Sequence, residues 1–332
     1  MFPNVNYIGN KKKIVDWLIN LIPDDVVSVI DGFSGGGSVA YSLKLAGYRV
    51  IANDMLYSSY ELNKAFVEND DIILSYTHLE NANKYQASAN VEKRLSFLSQ
   101  QLYFPDEVEE LASLVSYAED CLQGYEYSIY LSLLRRAMVR KLPYSRMNIN
   151  WDNIIKLRDE EYSYEKYGRR RAYHNQSFID HMYSAIDEYN MSVFKGKKTA
   201  TVEQMDIFDL IAKYPSADLL YMDPPYPGTM NNYDAFYGPF DDMFNKHIKH
   251  TDLTKSDNFM KYMEGVFDVA SKKYKYAMIS LNNSIKPSFS EFVTMIAKYG
   301  NVEIFEKKHN YQVSGSKTKE KNLELVALVT FN

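Results

Sequence analysis

The rhythm of apolar and polar positions changes twice along this chain. Residues 26 to 30 (VVSVI) form a short β-branched apolar run that leads into a glycine cluster, and residues 36 to 47 then follow helical periodicity. A second strand at 48 to 53 ends at Asp54, and a helix from 58 to 67 follows. This βαβα opening predicts a parallel sheet with helices on its faces. From 67 to 199 the spacing predicts helices at 92 to 117, 126 to 141 and 176 to 190, joined by polar, tyrosine-rich segments without a buried strand. Strands return at 217 to 222, 274 to 281, 302 to 306 and 323 to 331. The last two are joined by a polar connection containing SGSKTKEKN, too short for a crossover helix, so they should pair antiparallel.

The expectation is an α/β protein whose sheet is interrupted once. Residues 1–66 carry its first part, 67–199 an inserted, mostly helical domain, and 200–332 its second part. The length of 332 residues leaves room for that arrangement. With 46% hydrophobic and 24% charged residues, the composition excludes disordered, collagenous and coiled-coil classes. No apolar stretch approaches the ~18 residues of a membrane helix, and the N-terminus lacks the order of a secretory signal, so a cytoplasmic location is expected. The single cysteine, Cys121, excludes an internal disulfide and a cysteine-based zinc site, and it reads as a small buried hydrophobe. The histidines show no metal spacing, His247 and His250 included, and no metal is expected.

Net charge is −5, yet the window from Arg135 to Arg171 holds eleven Lys and Arg against five Asp and Glu. This contrast predicts a basic face on an acidic protein. Within it, Arg135, Arg136, Arg140, Lys141, Arg146 and the run Arg169, Arg170 and Arg171 alternate with or adjoin Tyr144, Tyr164, Tyr167 and Tyr173. Arginine beside aromatic rings suits phosphate and base contacts, although a charge run is more often a solvated face.

Two motifs carry chemistry. Asp31-Gly32-Phe33-Ser34-Gly35-Gly36-Gly37-Ser38 sits where the first strand should end. Glycines there allow a tight turn and close approach to a ligand, but such turns are also a common structural necessity. The spacing fits neither a dinucleotide fingerprint nor a triphosphate loop. Asp54, 17 residues beyond Gly37, stands where an acidic side chain accepts ribose hydroxyls, or where a helix would take its cap. An adenosine-containing ligand without a diphosphate satisfies both features, and S-adenosyl-L-methionine is such a ligand.

The second motif is Asp223-Pro224-Pro225-Tyr226, directly after an apolar strand. Two prolines stiffen the loop and remove two amide donors, leaving carbonyl oxygens free to accept. With the Asp223 carboxylate and the Tyr226 ring, the loop suits an exocyclic amine on a planar base held by its face. A proline-terminated strand with an aromatic staple is the plainer reading.

Together, Phe33-x-Gly35-x-Gly37, Asp54 and Asp223-Pro-Pro-Tyr226 resemble the DNA N6-adenine methyltransferases of the Dam-like alpha group. Tyr7-Ile8-Gly9-Asn10-Lys11 is similar to that family's additional cofactor motif, and Val50 to Met55 to its second strand and acidic residue. The tail from Tyr311 to Asn332 resembles its C-terminal hairpin. The resemblance covers roughly residues 5 to 66 and 200 to 332 and implies a Rossmann-like S-adenosylmethionine-dependent sheet with an inserted target-recognition domain. It places the methionine end of the cofactor near Tyr7, Gly9, Lys11, Phe33 and the glycines, with Asp31 toward the methionine amino group. The ribose falls to Asp54 and the adenine to the segment Asp206 to Phe208.

The implied reaction is transfer of a methyl group to adenine N6 in double-stranded DNA. Asp223 and the Pro224 carbonyl would hold the amine of a base turned out of the helix, at a cost of roughly a few kcal/mol. Stacking on Tyr226 would return ~1–3 kcal/mol, and Tyr233 is a further aromatic near the site. A monomer and a separate restriction endonuclease partner fit the same resemblance. Methylation of cytosine N4, an inactive specificity protein on the same fold and an RNA substrate stay open at this point.

Overall fold

The computed structural model describes residues 1–168, 172–228, 232–308 and 323–332. It divides the chain into two compact units: Met1–Ile8, Leu56–Lys195 and Asp234–His247 form one, and Gly9–Met55, Gly196–Tyr233 and Ile248–Asn332 the other. Both differ in their borders from the three segments read from the sequence, because the first eight residues and a late helical stretch pack with the helices.

The second unit carries a seven-stranded sheet of β1 (Ser28–Asp31), β2 (Arg49–Asn53), β3 (Ala200–Glu203), β4 (Leu219–Met222), β5 (Tyr276–Asn282), β6 (Gly300–Lys308) and β7 (Leu323–Phe331). Its spatial order is β3-β2-β1-β4-β5-β7-β6. The β1–β2, β1–β4, β2–β3 and β4–β5 pairs are parallel, while β7 runs antiparallel to both β5 and β6. This is a Rossmann-like sheet with an antiparallel C-terminal pair, as the resemblance implies. The central strands β1 and β4 are buried at every position, which explains their continuous apolar runs. Ile30, Ile51, Leu220, Ile279 and Val329 pack with Phe259, Phe267 and Phe292 from helices on one face.

β3 is absent from the sequence reading. Only Val202 of its four residues is buried, so this edge strand shows no apolar pattern to find. β6 is also an edge strand, and its charged, mostly exposed residues suit that position. The connection expected between β6 and β7 lies outside the described residues.

In the helical unit, Gly124–Arg140 is the central helix, with Ile129, Leu133, Leu134, Ala137 and Met138 almost fully enclosed. The helix expected over 92 to 117 is two, Ala89–Leu95 and Pro105–Cys121, with a 3₁₀ turn after the first. Pro105 explains the break, since proline is tolerated in the first helical turn and not within a continuous helix. The Glu107 carboxylate reinforces this start by accepting the Phe104 N–H at 3.0 Å. The 176 to 190 helix is likewise divided, into Phe178–Tyr183 and Ile186–Asn190. Asp241, almost fully buried, caps Tyr57–Asn63 by accepting the Tyr57 and Ser58 amides at 2.7 and 2.9 Å.

Cys121 is exposed, contrary to expectation. It ends its helix on the outer side, while neighbouring Ala118 and Leu122 take the inward positions. No helix among the described residues is long and apolar enough to cross a membrane.

Candidate active site

Three parallel strands of the sheet unit end at the site. β1 stops at Asp31, and Gly37, at φ +78°, turns the chain into the helix Ser38–Ala46. A left-handed conformation at that N-cap favours glycine. β2 ends in Asn53, whose side chain joins neighbouring loops: Nδ2 donates to the Gly32 and Met205 carbonyls at 3.2 and 3.0 Å, and Oδ1 accepts the Met205 amide at 3.1 Å. Its own carbonyl accepts the Ser34 amide at 2.8 Å. One asparagine thus fixes the glycine turn against the segment that follows β3.

Asp54 accepts the Gly35 N–H through Oδ2 at 2.7 Å. Asp31 is 1% exposed, and among the described residues neither carboxylate oxygen has a partner in hydrogen-bond geometry. Burial raises its pKa well above the usual carboxylate value, the charges of Asp223 and Asp54 raise it further, and the nearby Phe33 and Ala40 amides offset only part. A carboxylate buried beside a glycine turn has the chemistry to receive a cation. Asp206 is committed at both oxygens: Oδ1 caps its own helix at the Phe208 amide, 2.9 Å away, and Oδ2 accepts the Tyr262 hydroxyl at 2.7 Å. Phe33 is half-buried against the sheet core. Gly9 adopts φ +82°, and a Cβ there would stand 2.5 Å from the Tyr233 hydroxyl.

β4 lies beside β1, and the Gly32 amide donates to the Tyr221 carbonyl at 2.9 Å, joining the two strand ends. Asp223-Pro224-Pro225-Tyr226 follows at once. Beyond it the Pro227 carbonyl accepts the Lys286 amide at 3.2 Å and the Gly228 amide donates to Thr254 at 2.9 Å, so both ends of the loop are anchored. Asp223 Oδ1 pairs with Lys11 Nζ at 3.1 Å and lies 3.3 Å from the Tyr226 hydroxyl. Its side chain keeps 19% exposure. Burial pushes its pKa up to about 6; Lys11 works against that shift, and the charge of Glu324 adds to it.

Lys11, expected at the cofactor's methionine end, lies beside the acceptor loop. It is 2% exposed, and its ammonium is held by Asp223, Glu324 and the Tyr226 hydroxyl. Tyr7 belongs to the helical unit, where its ring stacks on Tyr237 at 4.9 Å with the Arg135 guanidinium 5.3 Å away. Asn53 and Glu324 were not singled out from sequence. Glu324 had a signal, an acidic residue inside the otherwise apolar strand LELVALVTF.

The basic window needs a larger correction. Arg135, Arg136 and Lys141 are 1%, 7% and 1% exposed and form no solvent-facing patch. Arg135 and Arg136 donate to the Val5 and Asn4 carbonyls at 2.9 and 3.0 Å, holding the N-terminal segment, and Lys141 pairs with Glu107 at 2.7 Å. Charge counting along a helix cannot tell an inward guanidinium from an outward one. Arg140, half-buried, reaches His181 and the Tyr173 ring; Arg146, also half-buried, lies over Tyr144 and Phe236. Arg169, Arg170 and Arg171 lie outside the described residues.

Comparison with known proteins supplies the reaction. Residues 7–295 match the family of D12 class N6 adenine-specific DNA methyltransferases. The chain is 38% identical to Type II methyltransferase M2.HphI of Haemophilus parahaemolyticus, over 99% of this chain and 98% of that protein. It is 24% identical to Type II methyltransferase M.NlaIII of Neisseria lactamica, over 96% and 95% of the two chains. Among solved structures, the rRNA methyltransferase aviRa of Streptomyces viridochromogenes aligns at 12% identity with a TM-score of 0.36, covering 98% of this chain and 86% of that one, too distant to add to the reading. The choice left open between adenine N6, cytosine N4 and an inactive scaffold is thereby resolved: this chain belongs to the D12 class N6 adenine-specific DNA methyltransferases, and it methylates adenine in DNA.

Proposed function

We propose that Asp223, Pro224, Pro225 and Tyr226 cradle the exocyclic amine of an adenine rotated out of the duplex, and that S-adenosylmethionine binds over the glycine turn of the same unit. The observation that carries this reading is the adjacency of β1 and β4: a glycine turn and a stiff acceptor loop leave neighbouring parallel strands, where ligands of open α/β sheets bind. The orphaned Asp31 carboxylate supports the cofactor's identity, because a methionine amino group is the cation it lacks. Asp54 takes the ribose hydroxyls while holding Gly35, and Phe33, Gly35 and Gly37 line the approach. Asp206 serves by fixing the segment Met205 to Phe208 rather than by offering a carboxylate. Gly9 gives Tyr233 its place.

When bound, S-adenosylmethionine supplies a methyl group on a sulfonium, so that the C–S bond breaks toward sulfur as the N6–C bond forms. The protein's part is orientation and electrostatics. Asp223 Oδ2 and the Pro224 carbonyl bind the two amine hydrogens and direct the nitrogen lone pair out of conjugation with the ring. Asp223 then accepts the proton that N6 loses. Tyr226, its hydroxyl fixed by Lys11, presents a ring face to the extruded base.

The helical unit is the target-recognition unit in this reading, with Arg140, Arg146 and the triple arginine 169–171 as phosphate contacts. In this reading the enzyme acts as a monomer, beside a separate restriction endonuclease, in the cytoplasm. Incubating DNA with the protein and methyl-labelled S-adenosylmethionine, then separating nucleosides, tests the reaction. Label in N6-methyl-2′-deoxyadenosine alone is expected; label in N4-methyl-2′-deoxycytidine, or none, would overturn it.

A further inference from the structure

Three segments of the sheet unit converge on one oxygen of Glu324. Oε1 lies 2.8 Å from Lys11 Nζ and 3.1 Å from the Tyr226 hydroxyl, and it accepts the Ser280 hydroxyl of β5. Glu324, in β7, is fully buried. The same ammonium and the same tyrosine hydroxyl also reach Asp223 Oδ1, at the longer distances of 3.1 and 3.3 Å.

A second buried carboxylate is costly to place beside a Lys11–Asp223 pair. Its effect is on how the donors are shared. The Tyr226 hydroxyl has one proton and can give it to one carboxylate at a time, and an ammonium nearer to Glu324 neutralises Asp223 less completely. Two carboxylates around one ammonium also carry a net negative charge, which favours a nitrogen gaining positive charge beside them.

We propose that Glu324 is a positioning residue for methyl transfer: it takes the larger share of Lys11 and the Tyr226 proton, so that the Asp223 carboxylate is less neutralised and presents a more basic acceptor to the adenine amine. This inference rests on the reading of Asp223 as the N6 acceptor. The titratable groups that face Asp223 are Lys11 from the N-terminal segment, Tyr226 from its own loop, Glu324 from β7, Asp31 from β1 and Tyr221 from β4. Of these, Lys11 lowers its pKa, Glu324 raises it, and the Tyr226 hydrogen bond lowers it.

Glu324→Gln removes one charge and keeps the shape. In it the acid limb of the kcat–pH profile should move down by about one pH unit, and the plateau should fall roughly tenfold or more. Carboxyl carbon NMR of aspartate-labelled protein without ligands gives a second readout, with the Asp223 resonance assigned by its loss in Asp223→Asn. Its titration midpoint should move down with the acid limb. An unmoved midpoint and limb would overturn the proposal, whether or not kcat fell. Should Glu324→Gln fail to fold, Lys11→Met and Lys11→Met/Glu324→Gln give the same contrast. The second substitution should lower the midpoint raised by the first, and no change would overturn the proposal. An Asp223→Asn variant that kept its turnover would sink the N6 assignment itself; an inactive Asp223→Asn with an unshifted Glu324→Gln would sink only the role of Glu324.

Discussion

Asp54 accepts the Gly35 amide at 2.7 Å, so the acidic residue that follows β2 fastens the turn that follows β1. A carboxylate used this way both shapes the turn and brings charge to it. Asp54→Ala should weaken S-adenosylmethionine binding by about 1.5–3 kcal/mol, the range for a lost hydrogen bond to a charged group, and raise KM more than it lowers kcat. Calorimetric titration of the two proteins checks this, and equal affinities would remove Asp54 from the cofactor site.

Asp31 makes the ligand-free protein sensitive to pH. Its folded-state pKa is raised, chiefly by burial, so the folded protein holds a proton that the unfolded chain gives up near 3.8. The stability this contributes is fully present below that value and is lost as pH rises through the folded-state pKa. Asp31→Asn should flatten that loss, measured by urea unfolding from about pH 4 to 8 without cofactor. The same variant should bind S-adenosylmethionine more weakly, because the receptor for its amino group is gone.

Glu107 tests the reassigned basic residues. It receives Lys141 at 2.7 Å and Arg158 in a buried cluster of the helical unit. Although burial opposes its ionisation, Arg158 and Lys141 outweigh that and lower its pKa. Its stabilisation is therefore present above the unfolded pKa and lost as pH falls through the lowered one. Glu107→Gln strands two buried cations and should cost about 3–5 kcal/mol in denaturant unfolding. If Lys141 instead served DNA, the variant would leave stability nearly unchanged.

DNA binding separates the two kinds of arginine. Arg146→Ala should weaken binding across sequences and reduce the salt slope by about one if it meets a phosphate. Arg135→Met should lower thermal stability, because Arg135 holds the N-terminal segment through the Val5 carbonyl and lies over the Tyr237 ring at 4.4 Å. Its salt slope should stay as in wild type, which filter binding across a salt series would reveal.

Much of this was legible in the chain because the relevant signals are local. Apolar runs flanked by glycine and proline marked β1, β2 and β4, and the residues that follow them, Asp31, Asp54 and Asp223, are placed by strand ends alone. What stayed hidden depends on packing. Val202 gives a four-residue edge strand too little apolar pattern to register. Pro105 splits a helix whose periodicity looks continuous. Arg135 and Lys141 face inward because carbonyls and Glu107 receive them, and no spacing rule encodes a partner so far along the chain. Glu324 reaches Lys11 only after the antiparallel β7 enters the sheet beside β5.

The most direct test of the account is Asp223→Ala, assayed for methyl transfer to DNA and, separately, for S-adenosylmethionine affinity. Transfer should fall by about 10²–10³-fold or more, while cofactor affinity stays within a few-fold of wild type. Near-normal transfer by that variant, or a loss explained wholly by failure to bind cofactor, would contradict the assignment of the acceptor loop.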